Sequence, residues 1–585
     1  DYTNDYGVTI LTDNLSIETG SVITSSGLGY PTQKGPGSSL TKGRQGGGHG
    51  GYGGGTNGTN FAPYGSVYEP LTLGSGGAAD DVGSGGTGGG AIGLYISDSL
   101  KINGNIESNG TTGSGWDYAG AAGGSVLINT YTIEGAGNIF TNGGNGSNGN
   151  GGAGGRIAIY YQRDDGYGLT NPDLNKIQSR GNSGTNSGGA GTIYIENVGV
   201  EESRKARLYV DNGGNSGQFA GLPENTYEFS KISLTRIGRL EIMGVGSVLQ
   251  LSSSNGLVGD ATAPLLKVTG TFNYIGTETL FINGVDLGIN GAIEGVDDFT
   301  IGNEVRGAIT LFPNTWANTT GEYTFGDIRI TNGTITLPSY DNGDTDYTND
   351  YGIKLYADNL NIETGSVITS SGLGYPTRKG PGSSLTKGRQ GGGHGGYGGG
   401  TNGTNFAPYG SVYEPLTLGS GGAADDVGSG GTGGGAIGLY ISDSLKINGN
   451  IESNGTTGSG WDYAGAAGGS VLINTYTIEG AGNIFTNGGN GSNGNGGAGG
   501  RIAIYYQRDD GYGLTNPDLN KIQSRGNSGT NSGGAGTIYI ENVGVEESRK
   551  ARLYVDNGGN SGQFAGLPEN TYEFSKISLT RHGKL

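Results

Sequence analysis

The sequence predicts an all-β fold: a parallel β-solenoid, or β-helix, that carries ordered glycine-rich lobes. Three observations predict it. Short phrases with alternating apolar residues recur between tight turns, helix signals are nearly absent, and 130 of the 585 residues are glycine. A tandem array of β-sandwiches is the alternative that the same strand phrases allow.

The strand phrases come first. "DNLSIETGSVITSSG" (13–27), "DSLKINGNIESNG" (98–110) and "YTIEGAGNIFTNGG" (131–144) share one scheme. Apolar residues alternate, a Gly turn follows, one or two apolar positions return, and an Asn-Gly or Ser-Ser-Gly turn closes the phrase. Period-2 alternation bounded by Gly and Asn marks strands and turns. Leu100, Ile102 and Ile106 are the expected inward positions, with Leu15, Ile17 and Val22 in the equivalent places. Repeated short strands without dominant hairpin dipeptides favour a stack of coils.

The organisation follows from a longer repeat. Residues 1–240 align without a gap on 346–585, an offset of 345, with nine mismatches. Five of these are consecutive: "VTILT" at 8–12 against "IKLYA" at 353–357. The expected domains are therefore a first glycine-rich copy (1–240), a glycine-poor β segment (241–345) and a second copy (346–585). The second copy stops at "RHGKL" inside a strand-like pattern, and the chain starts at "DYTNDYG". Both ends read as cuts in a longer array, sampled for one period and part of a second.

The glycine falls in three blocks per copy, about 43–90, 113–124 and 143–155 in the first, each running into a strand. Average usage is about 7% glycine, so these blocks are not incidental. The third block parses into triplets: Asn142-Gly-Gly, Asn145-Gly-Ser, Asn148-Gly-Asn, Gly151-Gly-Ala, Gly154-Gly-Arg. A period of three belongs to an extended left-handed helix with no internal hydrogen bonds. Glycine alone loses on energy, because ordering a residue costs about 1–2 kcal/mol and a net hydrogen bond returns about 0.5–1.5 kcal/mol. Anchors are needed, and "NFAPYGSVYEPLTLGSGG" (60–77) supplies Phe61, Tyr64, Tyr68 and Leu71. The expectation is ordered lobes packed on the coils.

Other uses of glycine fail on chemistry. A phosphate loop needs G-x-x-x-x-G-K-[ST] between strand and helix, whereas "GRQGGGHGG" (43–51) has neither the Lys-Ser/Thr nor a following helix. A nucleic-acid segment needs repeated Arg, but Arg44 stands alone and the net charge is −19. Cysteine is absent, which excludes disulfides and thiol chemistry. No run of about 20 apolar residues is present to cross a membrane as a helix.

The order "GGHGGYGG … YGSVYEPLTLGSGG … AAGGSVLI … GGAGGRIAIYY" resembles the glycine-rich β-helical modules of very large bacterial and archaeal adhesin-like surface proteins. It spans about residues 13–162 and 358–507. The lobes are also similar to polyglycine-II bundles, as in phage tail adhesins and a snow-flea antifreeze protein. The resemblance implies an extracellular or cell-surface structural or adhesive role. The expected partners are further copies of the repeat in a fibre, and possible partners are a glycan or a cell surface. It supplies no catalytic residues, and no enzyme activity is expected; a polysaccharide-active β-helix enzyme is the remaining alternative.

Candidate sites are few. Asp341, Asp344, Asp346 and Asp350 cluster in "DNGDTDYTND" and suit calcium, the one cofactor considered, although the spacing departs from a D-x-[DN]-x-[DN]-G loop. A solvated acidic turn is the plainer reading. Trp116 with Tyr118, and Trp461 with Tyr463, offer rings for glycan contact or for packing on a glycine face. Asp80-Asp81 and Asp164-Asp165 are poor catalytic pairs, since neighbours on a strand face opposite ways. His49 and His394 sit in glycine runs and read as spacers.

Overall fold

The computed structural model describes residues 2, 5–39, 43–55, 62–79, 84–115, 118–200, 206–303, 305–313, 319–384, 388–400, 407–424, 429–460, 463–544, 551–568 and 571–585. It is all-β, with no helix among the described residues, and its sheets are mostly parallel. The chain forms two compact units, Asp1–Gly295 and Val296–Leu585.

In the first unit a long strand, a tight turn and a short strand alternate with glycine-rich excursions. The elements are β1 (Val8–Ile17), β2 (Val22–Thr24), β3 (Ala91–Ile102), β4 (Asn105–Glu107), β5 (Ser125–Gly135), β6 (Asn138–Phe140), β7 (Arg156–Asp164), β8 (Ile177–Gln178), β9 (Thr192–Asn197) and β10 (Arg207–Asp211). The long strands β1, β3, β5, β7 and β9 pair in that order, all parallel. The short strands β2, β4, β6 and β8 do the same.

Register puts like side chains on top of one another. Ile92, Val126, Ile157 and Ile193 form one column. Leu94, Ile128, Ile159 and Ile195 form the next, and all eight are buried. Each column removes apolar surface at about 25 cal/mol per Å². The expected inward residues Leu100, Ile102 and Ile106 are fully buried, and Ile17 nearly so.

Val22 departs from expectation. It is 51% exposed and pairs with Asn105, while Ile23 pairs with the buried Ile106. The turn after Ile17 is longer than the one after Ile102, and side chains alternate faces, so the inward position moves one residue along.

After β9 the chain reverses once, with β9 and β10 antiparallel. From there three-strand sets follow without glycine blocks. Arg207–Asp211, Ala220–Leu222 and Thr226–Phe229 pair in parallel with Lys231–Thr235, Arg239–Ile242 and Val248–Leu251. Those pair in turn with Leu257–Gly259, Leu265–Val268 and Thr271–Tyr274. Leu208, Ile232, Leu257 and Ile282 stack in one buried column. The glycine-poor stretch therefore keeps the strand rhythm of the rest. A sandwich array would pair antiparallel; here antiparallel pairing of named strands is limited to β9–β10 and its counterpart between Thr537–Asn542 and Arg552–Asp556 among the described residues.

The second unit repeats this plan. Ile353–Ile362, Ala436–Ile447, Ser470–Gly480, Arg501–Asp509 and Thr537–Asn542 pair in parallel with the registers of their counterparts. Before them lie Glu322–Thr324 and Asp327–Ile330, which pair onto Ile353–Ile362 and bury Ile353, Leu355, Leu360 and Ile362.

Candidate functional site: the glycine-rich lobes and their anchors

The lobes are built from backbone hydrogen bonds between extended segments, and partners rotate with a period of three. In 119–124, Ala119 and Ala122 donate to Ala78 and Ser75 at 3.1 and 2.9 Å. Gly120 and Gly123 donate to Asn150 and Ala153, both at 2.9 Å. Ala121 and Gly124 donate to Thr111 and Ser108 at 3.2 and 2.7 Å. One segment thus binds three neighbours in turn. Residues 150–155 do likewise: Asn150 and Ala153 go to Arg44 and Gly47, Gly151 and Gly154 to Asn186 and Gly189, Gly152 and Gly155 to Gly144 and Thr141. A three-residue turn with no internal bonds leaves every amide free for a neighbour. The second copy reproduces the arrangement, with Gly465 and Gly468 donating to Asn495 and Ala498 at 3.0 and 2.9 Å.

Glycine is required by distance here. A Cβ on Gly123 would lie 1.9 Å from the Thr141 carbonyl oxygen, and one on Gly152 would lie 1.9 Å from that of Ala121. Methyl groups are tolerated only in the gaps between segments, where Ala119, Ala121, Ala122 and Ala153 are fully buried.

The turn phrases join the lobes to the strands. Ser108 and Ser179 are buried, and their hydroxyls donate to Gly90 and Gly155 at 2.7 and 2.8 Å. The Asn109 side chain accepts from Asn142 N, and that of Asn142 accepts from Arg180 N, each at 2.8 Å. The Ser and Asn side chains at the ends of these phrases therefore bond successive strand layers together.

The lobes also cover the second face of the long strands. Arg156, Ile157, Ala158 and Ile159 are all buried, although alternate residues face opposite ways. Tyr64 and Tyr68, from the predicted anchor stretch, lie on this outer face. The Tyr160 hydroxyl donates to Tyr68 O at 2.8 Å, and the Tyr68 and Tyr194 rings meet edge-on at 5.1 Å. Phe61 lies outside the described residues.

Two buried polar side chains pin the lobe. Arg156 donates to Tyr64 O at 2.8 Å, Thr192 Oγ1 at 3.0 Å and Gly221 O at 2.8 Å. Burial lowers its pKa to about 10, so it stays charged at neutral pH. His49 is fully buried; its Nδ1–H donates to Gly123 O at 2.8 Å, and its Nε2 accepts from the Thr72 hydroxyl at 2.8 Å. Those partners fix the neutral tautomer. Burial first, and the Arg156 charge second, push its pKa down to about 3. His394 and Arg501 repeat the pair. Sequence reasoning took His49 for a spacer and passed over Arg156. The available signal was a charged residue inside an otherwise continuous apolar strand start.

The other candidates divide. Asp341, Asp344, Asp346 and Asp350 lie in the exposed loop between Tyr340 and Tyr351, whose rings stack at 5.0 Å. Their oxygens are used by the loop: Asp341 accepts from Gly343 N, Asp344 from Asp346 N, Asp346 from Thr348 N and hydroxyl, Asp350 from the Tyr375 hydroxyl. The Thr348 bonds lower the pKa of Asp346, and partial burial raises that of Asp350. Among the described residues, no group of three or more His, Asp or Glu is placed to hold a metal ion. Tyr118 and Tyr463 are half-buried in the lobes, where their carbonyls accept from Ser147 N and Ser492 N at 3.1 Å. Trp116, Trp461 and Asp80-Asp81 lie outside the described residues. Asp164 accepts three amides of the following loop, and Asp165 pairs with Arg163.

Gly123→Ala destabilises by about 3 kcal/mol or more in denaturant unfolding, because two backbones must separate. Gly20→Ala, at φ +85 with nothing within 4 Å, costs about 1 kcal/mol. Below pH 6.5 the unfolded histidines take up protons that the folded ones refuse until about pH 3, so stability falls as pH drops through that window. Replacing both His49 and His394 by Gln flattens the fall, as read from unfolding midpoints across pH.

No family model matches the chain, and no curated protein and no solved structure matches it.

Proposed function

We propose that this chain is a length of a repetitive extracellular array with a mechanical role: a stiff, protease-resistant spacer in a surface filament or stalk. In this reading the parallel coils are a β-solenoid and the lobes are polyglycine-II bundles docked along it. The partner is more of the same repeat, and no catalytic chemistry is involved.

One observation carries the reading. Two copies at an offset of 345 residues lay down the same registers, lobe bonds and buried pins. Many backbone amides of the described lobe residues are spent on neighbouring segments, which suits load-bearing. Repeats of this kind contact mainly their neighbours, so stability grows as units are added.

One strand edge fits this reading. Ile232 and Leu234 are fully buried beneath Leu257–Gly259, whereas their counterparts Ile577 and Leu579 are 50% and 51% exposed. Appending a further copy of residues 241–345 followed by another 346–585 is expected to protect the amides of Lys576–Thr580. Electron microscopy should then show particles lengthened by about 50–70 Å per added period, at about 4.8 Å per coil. Added periods that leave those amides exchanging freely, or that fold into separate compact particles, would overturn the reading.

A further inference from the structure

The geometry points to a binding trough for a neutral oligosaccharide at the bulge of the long strands, present once in each copy. This goes beyond the spacer role and does not depend on it.

The trough in the second copy has a volume of about 340 Å³ and runs across Thr324, Ile353–Ile362, Ala436–Ile447 and Ser470–Gly480. The long strands slip register between Ala357 and Asn359 and between Ile441 and Ser444, which opens the sheet surface at that level. One wall is aromatic: Tyr356 and Tyr440 stack at 4.8 Å with planes 14° apart. The opposite wall is polar, with the Ser442 hydroxyl donating to Asp358 Oδ1 at 2.8 Å. On the next strand Asn474, exposed, is the register partner of Tyr440. The side of the Tyr440 ring away from Tyr356 therefore looks over an amide instead of another ring.

This combination selects a chemistry. A pyranose offers an apolar C–H face to a ring and hydroxyls at its rim to carboxylate and amide groups. Crossing four strands, the trough is about 14 Å long, which suits a short saccharide chain better than a single sugar. Asp358 is the one formal charge among its lining residues, so an anionic polymer is disfavoured. Nearby Lys354 is engaged by Glu322 at 3.0 Å.

The first copy sets the equivalents of three of these four strands around a cleft of about 610 Å³, with Tyr95, Asn129 and a Ser97–Asp13 hydrogen bond of 2.6 Å. Here Leu11 stands where Tyr356 stands in the second. The five consecutive differences between the copies all lie on the strand that forms this wall. One chain thus carries an aliphatic-walled and an aromatic-walled version of one site.

The test uses the intact chain with cellohexaose as the neutral probe and hexagalacturonate as the anionic one, read by calorimetry and by ligand-observed NMR. Cellohexaose should bind at two sites of unequal affinity, and hexagalacturonate should bind more weakly. Tyr440→Ala should weaken the tighter site about ten-fold. Asn474→Ala, at an exposed position, provides the same reading should Tyr440→Ala perturb the fold. Tyr356→Leu should make the two sites alike. Absence of cellohexaose binding, equal or tighter binding of hexagalacturonate, or unchanged binding in both Tyr440→Ala and Asn474→Ala would overturn the proposal and leave the spacer reading standing.

Discussion

Hydrogen bonding between side-chain-free backbones, shared among three neighbours in rotation, is the constraint on which the rest of the structure depends. An ordinary strand bonds only sideways to two partners, and its side chains fill the space above and below. Residues 119–124 instead spend successive amides in rotation on segments at 75–78, 150–153 and 108–111. That geometry has no room for Cβ atoms at the crossings, which accounts for a composition that would otherwise suggest disorder. Each amide gains about 0.5–1.5 kcal/mol once desolvation is counted, against a larger entropic cost for ordering glycine. The lobes are therefore stable only as riders on a hydrophobic stack.

The stack provides that support on both of its faces. Inward columns such as Leu94–Ile128–Ile159–Ile195 exclude water, and the outer face beneath Tyr64, Tyr68 and Tyr194 is closed by the anchor stretch. Arg156 and His49 sit where lobe, strand and anchor meet. A buried guanidinium is costly unless its donors are met. Here they are met by two carbonyls and a hydroxyl from three different segments. The charge thereby fixes how the lobe sits on the strands, and the neutral histidine beside it completes the same junction.

Local features were legible in the sequence and distant ones were not. The phrase "DSLKINGNIESNG" shows its strand, its turn and its inward residues because alternation is a property of adjacent positions. The triplets from Asn142 onward likewise reveal the period of three. Val22 was misplaced because turn length, rather than alternation, decides which residue after the turn faces inward. Many partners of each glycine segment lie far along the chain, as with Gly47 and Gly120 or Ala153 and Gly47, and no local pattern encodes them. Arg156 went unnoticed for a related reason: its role is set by a loop carbonyl at Tyr64 and a strand hydroxyl at Thr192. The trough at Tyr440 depends on a register slip between strands, which is visible only once they are paired.

Native-state amide hydrogen exchange on the glycine-rich segments tests the central claim most directly. The account predicts that the amides of 119–124 and 150–155 are protected to the same degree as those of the neighbouring strands β5 and β7, and are released with them in one cooperative step. Exchange of those glycine amides at the rate of an unstructured peptide, while the strands remain protected, would contradict it.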